Sequence, residues 1–87
     1  MNTKEIEHAI ELAKQNNQKA FAVLFDAHWE YVYGYLLKQL QDDIIAEELA
    51  LKALAKAFDK IDTFKKEYNF KTWLISISKN LKMDQHS

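Results

Sequence analysis

Apolar residues recur at helical spacing in four stretches of this chain, separated by polar breaks. In the first stretch Ile6, Ala9, Ile10 and Ala13 share one face. Asn2 with Glu5 three residues on has the capping-box pattern of a helix start. The polar run Gln15-Asn16-Asn17-Gln18 breaks that helix, and the second begins near Asn17 and reaches about Leu40. Its broad apolar stripe holds Phe21, Leu24, Phe25, His28, Val32, Tyr35, Leu36 and Leu40, widened by Trp29, Tyr31 and Tyr33. Gly34 inside it costs about 1 kcal/mol against alanine, and close approach of a neighbouring helix is the expected reason.

Asp42 or Asp43 can cap a third helix that runs to about Lys60, with Ala46, Leu49, Ala50, Ala53, Leu54, Ala57 and Phe58 as its apolar face. Glu47 and Glu48 stand near its N-terminal end and Lys56 and Lys60 near its C-terminal end, the order the helix dipole favours. Residues 62–69 read as a loop. The fourth helix is expected from about Phe70 to Met83, where Phe70, Trp73, Leu74, Ile77 and Leu81 form a clean stripe and Lys71, Lys79 and Lys82 lie off it. Residues 84–87 read as a frayed tail. The pattern as a whole predicts an all-α fold, a compact bundle of about four helices in one domain spanning residues 1–87.

Composition supports this reading. The chain has no proline and Gly34 is its only glycine, so the residues that punctuate strands and tight turns are nearly missing. With 48% hydrophobic and 29% charged residues, the chain is composed to fold rather than to stay disordered. Its 87 residues allow a core, but a small one. The absence of cysteine excludes disulfides and thiolate metal sites and fits a reducing, cytoplasmic setting. The N-terminal residues lack the basic stub and apolar run of a secretory signal, and no run of about 18 apolar residues could span a membrane.

The net charge of −1 conceals an asymmetry: residues 1–50 hold nine acids and four lysines, residues 51–87 four acids and eight lysines, or −5 and +4. A basic C-terminal part can be an electrostatic footprint for nucleic acid, although charge alone favours a solvated helix face. All of the basic residues are lysine, which suits point contacts to phosphate but not the bidentate fork of arginine on guanine. Enzyme signals are absent. One glycine cannot build a phosphate loop. His8, His28 and His86 have no partner at a metal-ligand spacing, so His28 reads as a packing residue and no cofactor or metal is implied. Glu47 and Glu48 are adjacent on a helix and point about 100° apart, so they do not converge on a reacting atom.

Residues 20–84 carry an ordered set of features: Ala20-Phe21 with Leu24-Phe25, the aromatic helix from His28 to Tyr33, Asp42-Asp43-Ile44-Ile45-Ala46-Glu47-Glu48-Leu49, Ala57-Phe58 with Phe64, and the block from Phe70 to Leu81 followed by Asp84. This order resembles region 2 of the bacterial extracytoplasmic-function sigma factors of the sigma-70 family. The third element is similar to the family's "D-x-x-x-A-E-D-L". The last is similar to its "F-x-x-W-L-x-x-I-A-x-N-x-x-x-D", with Ser78 in place of the usual alanine. The resemblance implies a transcription initiation factor domain without catalysis. It implies docking on the clamp helices of the largest subunit of core RNA polymerase through Asp43, Glu47, Glu48, Leu51 and Lys52. It also implies capture of the single-stranded non-template strand of the promoter −10 element, with one base flipped into a loop pocket. Lys65, Lys66, Tyr68, Asn69, Lys71, Lys79, Asn80 and Lys82 cluster in the segment that would hold the strand, with lysines for phosphates, Tyr68 for stacking and Asn69 or Asn80 for a base edge. Phe70 and Trp73 fall on the apolar stripe and are expected in the core; Tyr68 suits either place.

The departures from the family are specific. Leu51 stands where the family has Gln, and Lys52 reverses a usual acid, which bears on clamp docking and partner choice. The family's usual arginines are missing. The chain stops at Ser87, before a helix-turn-helix domain that would read the −35 element, as an excised domain or a short natural protein would. The alternative function is a divergent sigma-like helical module that binds an anti-sigma factor or another helical partner without DNA binding. A small helical enzyme or metal protein is a third, disfavoured by the missing ligands.

Overall fold

The computed structural model describes residues 2–86, with side chains for residues 2–82. Four helices follow one another: α1 (Thr3–Lys14), α2 (Gln18–Leu40), α3 (Asp43–Asp59) and α4 (Phe70–His86), with a 3-10 turn at Ile61–Thr63 between α3 and α4. No strand occurs among the described residues. The expected boundaries hold closely for the first three helices. The fourth continues three residues past Met83, so residues 84–86 of the expected tail are helical, and Ser87 lies outside the described residues.

Each helix begins at a short polar side chain that turns back on the first turn. The Oδ1 atoms of Asn2, Asn17, Asp42 and Asn69 accept from the backbone N–H groups of Glu5, Ala20, Ile45 and Thr72 at 2.9, 3.1, 3.1 and 3.0 Å. Such caps contribute about 1 kcal/mol each by satisfying donors that have no intrahelical acceptor. Without proline or further glycine, the chain reverses through two residues in the left-handed region, Asn16 (φ 63°) and Gln41 (φ 54°). At the first, the N–H groups of Asn16 and Asn17 return to the carbonyls of Ala13 and Leu12 at 2.9 and 3.2 Å, a Schellman closure of α1. At the second, the Gln41 N–H donates to the Leu37 carbonyl at 2.7 Å.

The α2–α3 and α3–α4 pairs make the most extensive contacts, and α1 lies against α2. On α3 the buried face is made largely of alanine, with Ala46, Ala50, Ala53 and Ala57 almost without exposure. Small side chains let the neighbouring backbones approach closely. Leu24 and Leu36 of α2, Leu49 and Leu54 of α3 and Leu74 of α4 supply the bulk between them. Among these apolar groups sit two polar ones. The hydroxyl of Ser78 is fully buried and donates to the Leu74 carbonyl at 2.9 Å, so serine replaces the family's alanine without leaving an unpaired donor. His28 is 3% exposed, and its Nδ1 lies 2.8 Å from the Leu24 carbonyl; a carbonyl can only accept, so Nδ1 carries the proton. The imidazole packs edge-on against Phe70 at 5.0 Å, which is the packing role its sequence context suggested.

Gly34 corrects an expectation. No neighbouring atom comes within 4 Å of the position a Cβ would occupy, and the residue is exposed. No helix approaches there, because the line Ala20, Leu24, His28, Val32 and Leu36 faces the core and Gly34 falls on the far side of α2.

Two stability outcomes follow from this packing. Gly34→Ala should raise the urea-unfolding free energy by about 0.5–1 kcal/mol, since the position is helical and unobstructed. The second concerns pH. Burial, opposed by the bond to Leu24 and reinforced by nearby Lys71, holds the His28 imidazole below its ordinary value. On acidification the unfolded chain therefore takes up this proton first. The His28 contribution to stability is intact above about pH 6.5 and declines as pH falls below it towards the depressed folded-state value. Unfolding free energy measured from pH 7.5 to 5 should drop in the wild type and drop less in His28→Phe.

Candidate nucleic-acid and polymerase interface

The segment between α3 and α4 is pinned at its centre. After the 3-10 turn, the ring of Phe64 turns inward to 5% exposure and meets Phe70 edge-on at 5.1 Å and Trp73 at 5.1 Å. Its carbonyl accepts from Lys14 Nζ of α1 at 2.8 Å. The residues after Phe64 are thereby pushed to the surface: Lys65, Lys66, Tyr68 and Asn69 are all exposed. A turn closed by the Tyr68 N–H on the Lys65 carbonyl, at 2.9 Å, holds the lysines and the tyrosine on one short arc. Phe70 is buried and Trp73 half-buried, so both belong to the core, while Tyr68 at 58% exposure does not.

Asn69 is committed in part. Its Oδ1 caps α4 through the Thr72 N–H and also accepts from the Thr72 hydroxyl at 3.3 Å, which leaves its amide NH2 as the available donor. Lys71 stands over the ring of Tyr31, 5.0 Å from the centroid, and Tyr31 is itself 46% exposed. A second exposed aromatic therefore borders the basic arc, on α2. It was hidden in the sequence because Tyr31 sits among residues whose stripe is buried.

The structure divides the remaining candidates. Lys82 is half-buried and donates to the Gln39 side chain at 3.3 Å, at the other end of α4. Eleven residues of helix separate it from Lys71, roughly 16 Å along the axis. Lys71 and Lys82 share the flank of α4 that faces α2. Asn80, nine residues after Lys71, lies about half a turn round the helix from it, and both Asn80 and Lys79 are exposed. Lys65, Lys66, Tyr68, Asn69 and Lys71 thus form one local group, and Lys79, Asn80 and Lys82 do not belong to it.

Between α1 and this group lies an open cleft of about 540 Å3. Glu7, Glu11 and Lys14 of α1 line one side, Lys66, Tyr68 and Lys71 the other, and His28 and Phe70 the floor. Among the described residues no group of three or more His, Asp or Glu side chains is arranged to hold a metal ion.

The outer face of α3 is a separate surface. Asp43, Glu47, Glu48, Leu51 and Lys52 are all exposed on it. So are Ile44 at 73% and Ile45 at 41%, with Leu51 at 46%. Ile44 and Leu51 are seven residues apart and fall on one line of the helix, with Glu47 and Glu48 on either side of it. Apolar side chains presented this openly between carboxylates cost solubility unless a partner covers them. The sequence reading included Leu51 but missed Ile44 and Ile45, two consecutive apolar residues just inside a cap and off the buried stripe.

Comparison with known proteins is consistent with this arrangement. The family model for sigma-70 region 2 matches residues 24–87. The chain is similar to the ECF RNA polymerase sigma factor SigW of Bacillus subtilis, 32% identical over 80 residues that cover 92% of this chain and 43% of that protein. It is also similar to the ECF RNA polymerase sigma factor BldN of Streptomyces coelicolor, 30% identical over 76 residues that cover 86% of this chain and 29% of that protein. The chain spans less than half the length of either relative. A helical bundle with an inward-turned Phe64, a lysine-rich arc before α4 and a match over most of its length belongs to the sigma-70 region 2 family, on the extracytoplasmic-function branch.

Proposed function

We propose that this domain takes part in transcription initiation in the cytoplasm, holding the non-template strand of a promoter −10 element as single-stranded DNA while α3 docks on the clamp helices of core RNA polymerase. The observation that carries the DNA part is the anchoring of Phe64. It fixes a loop whose backbone then presents Lys65, Lys66, Tyr68 and Lys71 together at the surface. A basic track beside exposed aromatic rings is what non-covalent capture of a single strand requires, with lysines neutralising phosphates and rings stacking on bases. The docking part rests on the exposed Ile44–Leu51 line and its flanking acids, an apolar stripe with a charged rim of the kind that fits a helical partner. The role is one of binding, with no catalytic group assigned.

The same α3 face supports a second reading, in which the domain binds an anti-sigma factor or another helical protein and no DNA. Leu51 and Lys52 favour it, because they change the polarity of the docking face from the family's pattern.

Two experiments separate these readings. Fluorescence anisotropy with labelled single-stranded oligonucleotides should show salt-sensitive binding that duplex DNA of the same sequence does not match. The triple substitution Lys65→Ala, Lys66→Ala, Lys71→Ala should lower affinity at least tenfold and reduce the slope of log K against log salt by about two to three. Unchanged affinity would remove the loop from the DNA path. For docking, Leu51→Gln with Lys52→Glu should increase recovery of the polymerase largest subunit in pull-down; both residues are exposed, so the fold should tolerate the change. Equal recovery would mean that these two departures do not tune the clamp contact.

A further inference from the structure

Lys71 occupies an awkward place for a cation. It lies in the first turn of α4, two residues after the Asn69 cap, where a helix presents its positive end. Lys66 borders the same cleft and adds like charge. The helix that carries Lys71 therefore gives its ammonium no help, and a lysine stem left to itself samples many rotamers. The contact that holds it comes from α2. Lys71 Nζ stands over the ring of Tyr31, 5.0 Å from the centroid, within the range in which an ammonium is drawn to an aromatic face.

The chemistry of this partner matters. A carboxylate at the same place would fix the lysine and cancel its charge. An aromatic face fixes it and leaves the full positive charge for a phosphate, with the N–H groups that point away from the ring still able to donate. Tyr31 is 46% exposed, so the ring is not committed to the core. Lys71 lines the cleft and Tyr31 does not, so the ring backs the lysine from outside. With the ammonium over it, that face of the ring is closed to a base.

We infer that Tyr31 is a positioning residue for single-stranded DNA: its ring holds the Lys71 ammonium at the edge of the cleft with its charge intact, and it acts on the strand only through Lys71. This inference rests on the single-stranded DNA reading given above. It gives α2, from which no DNA contact was assigned, a part in building the basic arc.

A double-mutant cycle tests it, by anisotropy with labelled oligothymidine and the whole 87-residue chain at low and moderate salt. Lys71→Met keeps the stem and removes the charge; it should weaken binding and lower the slope of log K against log salt by about one. Tyr31→Leu should weaken binding about two- to fivefold, the worth of an exposed cation–π contact. Tyr31→Phe keeps the aromatic face and should match the wild type. In a chain already carrying Lys71→Met, Tyr31→Leu should cost nothing further. Proton NMR of the free chain gives a readout that needs no DNA. The Lys71 ε-methylene protons should be shifted upfield by the ring in the wild type and Tyr31→Phe, and return to the ordinary lysine position in Tyr31→Leu. Equal loss from Tyr31→Leu with and without Lys71 would mean that the ring touches a base itself, which overturns the positioning role. Unchanged affinity in Tyr31→Leu or in Lys71→Met, or no upfield shift in the wild type, overturns it too. Each of these leaves the DNA reading standing as long as the wild type binds the strand. Absence of binding by the wild type overturns the DNA reading and this inference with it.

Discussion

The side chain of Phe64 decides what the surface of this domain can do. A loop between two helices would ordinarily move freely, and every contact it made with a ligand would cost the entropy of ordering it. Here one ring enters the core against Phe70 and Trp73, and the carbonyl of the same residue is held by Lys14 from across the bundle. Ordering is completed on folding, so the exposed lysines and Tyr68 are held in place by the fold itself. The interactions are modest singly: an aromatic pair is worth about 1 kcal/mol beyond its burial, and a charge-assisted hydrogen bond about 1.5–3. Their effect is large because they converge on one residue in the middle of the segment.

A comparable economy governs α3. Its inner face is nearly all small, which brings α2 and α4 close and leaves the leucines to fill the space between them. Its outer face carries large apolar groups where water would be expected. One helix therefore holds the bundle together on one side and presents an exposed apolar edge on the other. The two faces are independent enough that exposed residues such as Leu51 and Lys52 can vary without disturbing the core.

Much of this was legible in the sequence. Four stripes at helical spacing gave the four helices, and Asn2 and Asp42 are the caps expected for α1 and α3, whereas Asn69, expected in a loop and at a base edge, also caps α4. The buried faces of α3 and α4 match the apolar periodicity, because helical spacing maps directly onto a face. What periodicity could not supply was relation between helices. Gly34 was given a neighbour it does not have, since a glycine in a helix looks the same whether it faces a partner or water. The split of Lys79, Asn80 and Lys82 from the loop group, the pairing of Lys71 with Tyr31 and the link from Lys14 to Phe64 all depend on how elements far apart in sequence are laid side by side. The His28 ring could be read as a packing group from its neighbours, but which of its nitrogens stays open depended on the Leu24 carbonyl one turn away.

The succession of helices also has a kinetic meaning. α1 packs on α2, α2 on α3 and α3 on α4, so most of the bundle forms between segments adjacent in sequence. Such local topologies fold quickly, in microseconds to milliseconds, and a chain without proline has no slow isomerisation step to wait for. Several contacts break the local pattern, among them His28 on Phe70, Lys71 on Tyr31 and the bond from Lys14 to Phe64, which spans fifty positions. The cleft between α1 and the loop before α4 is thus bounded by segments far apart in sequence, unlike the helix pairs that make up most of the bundle.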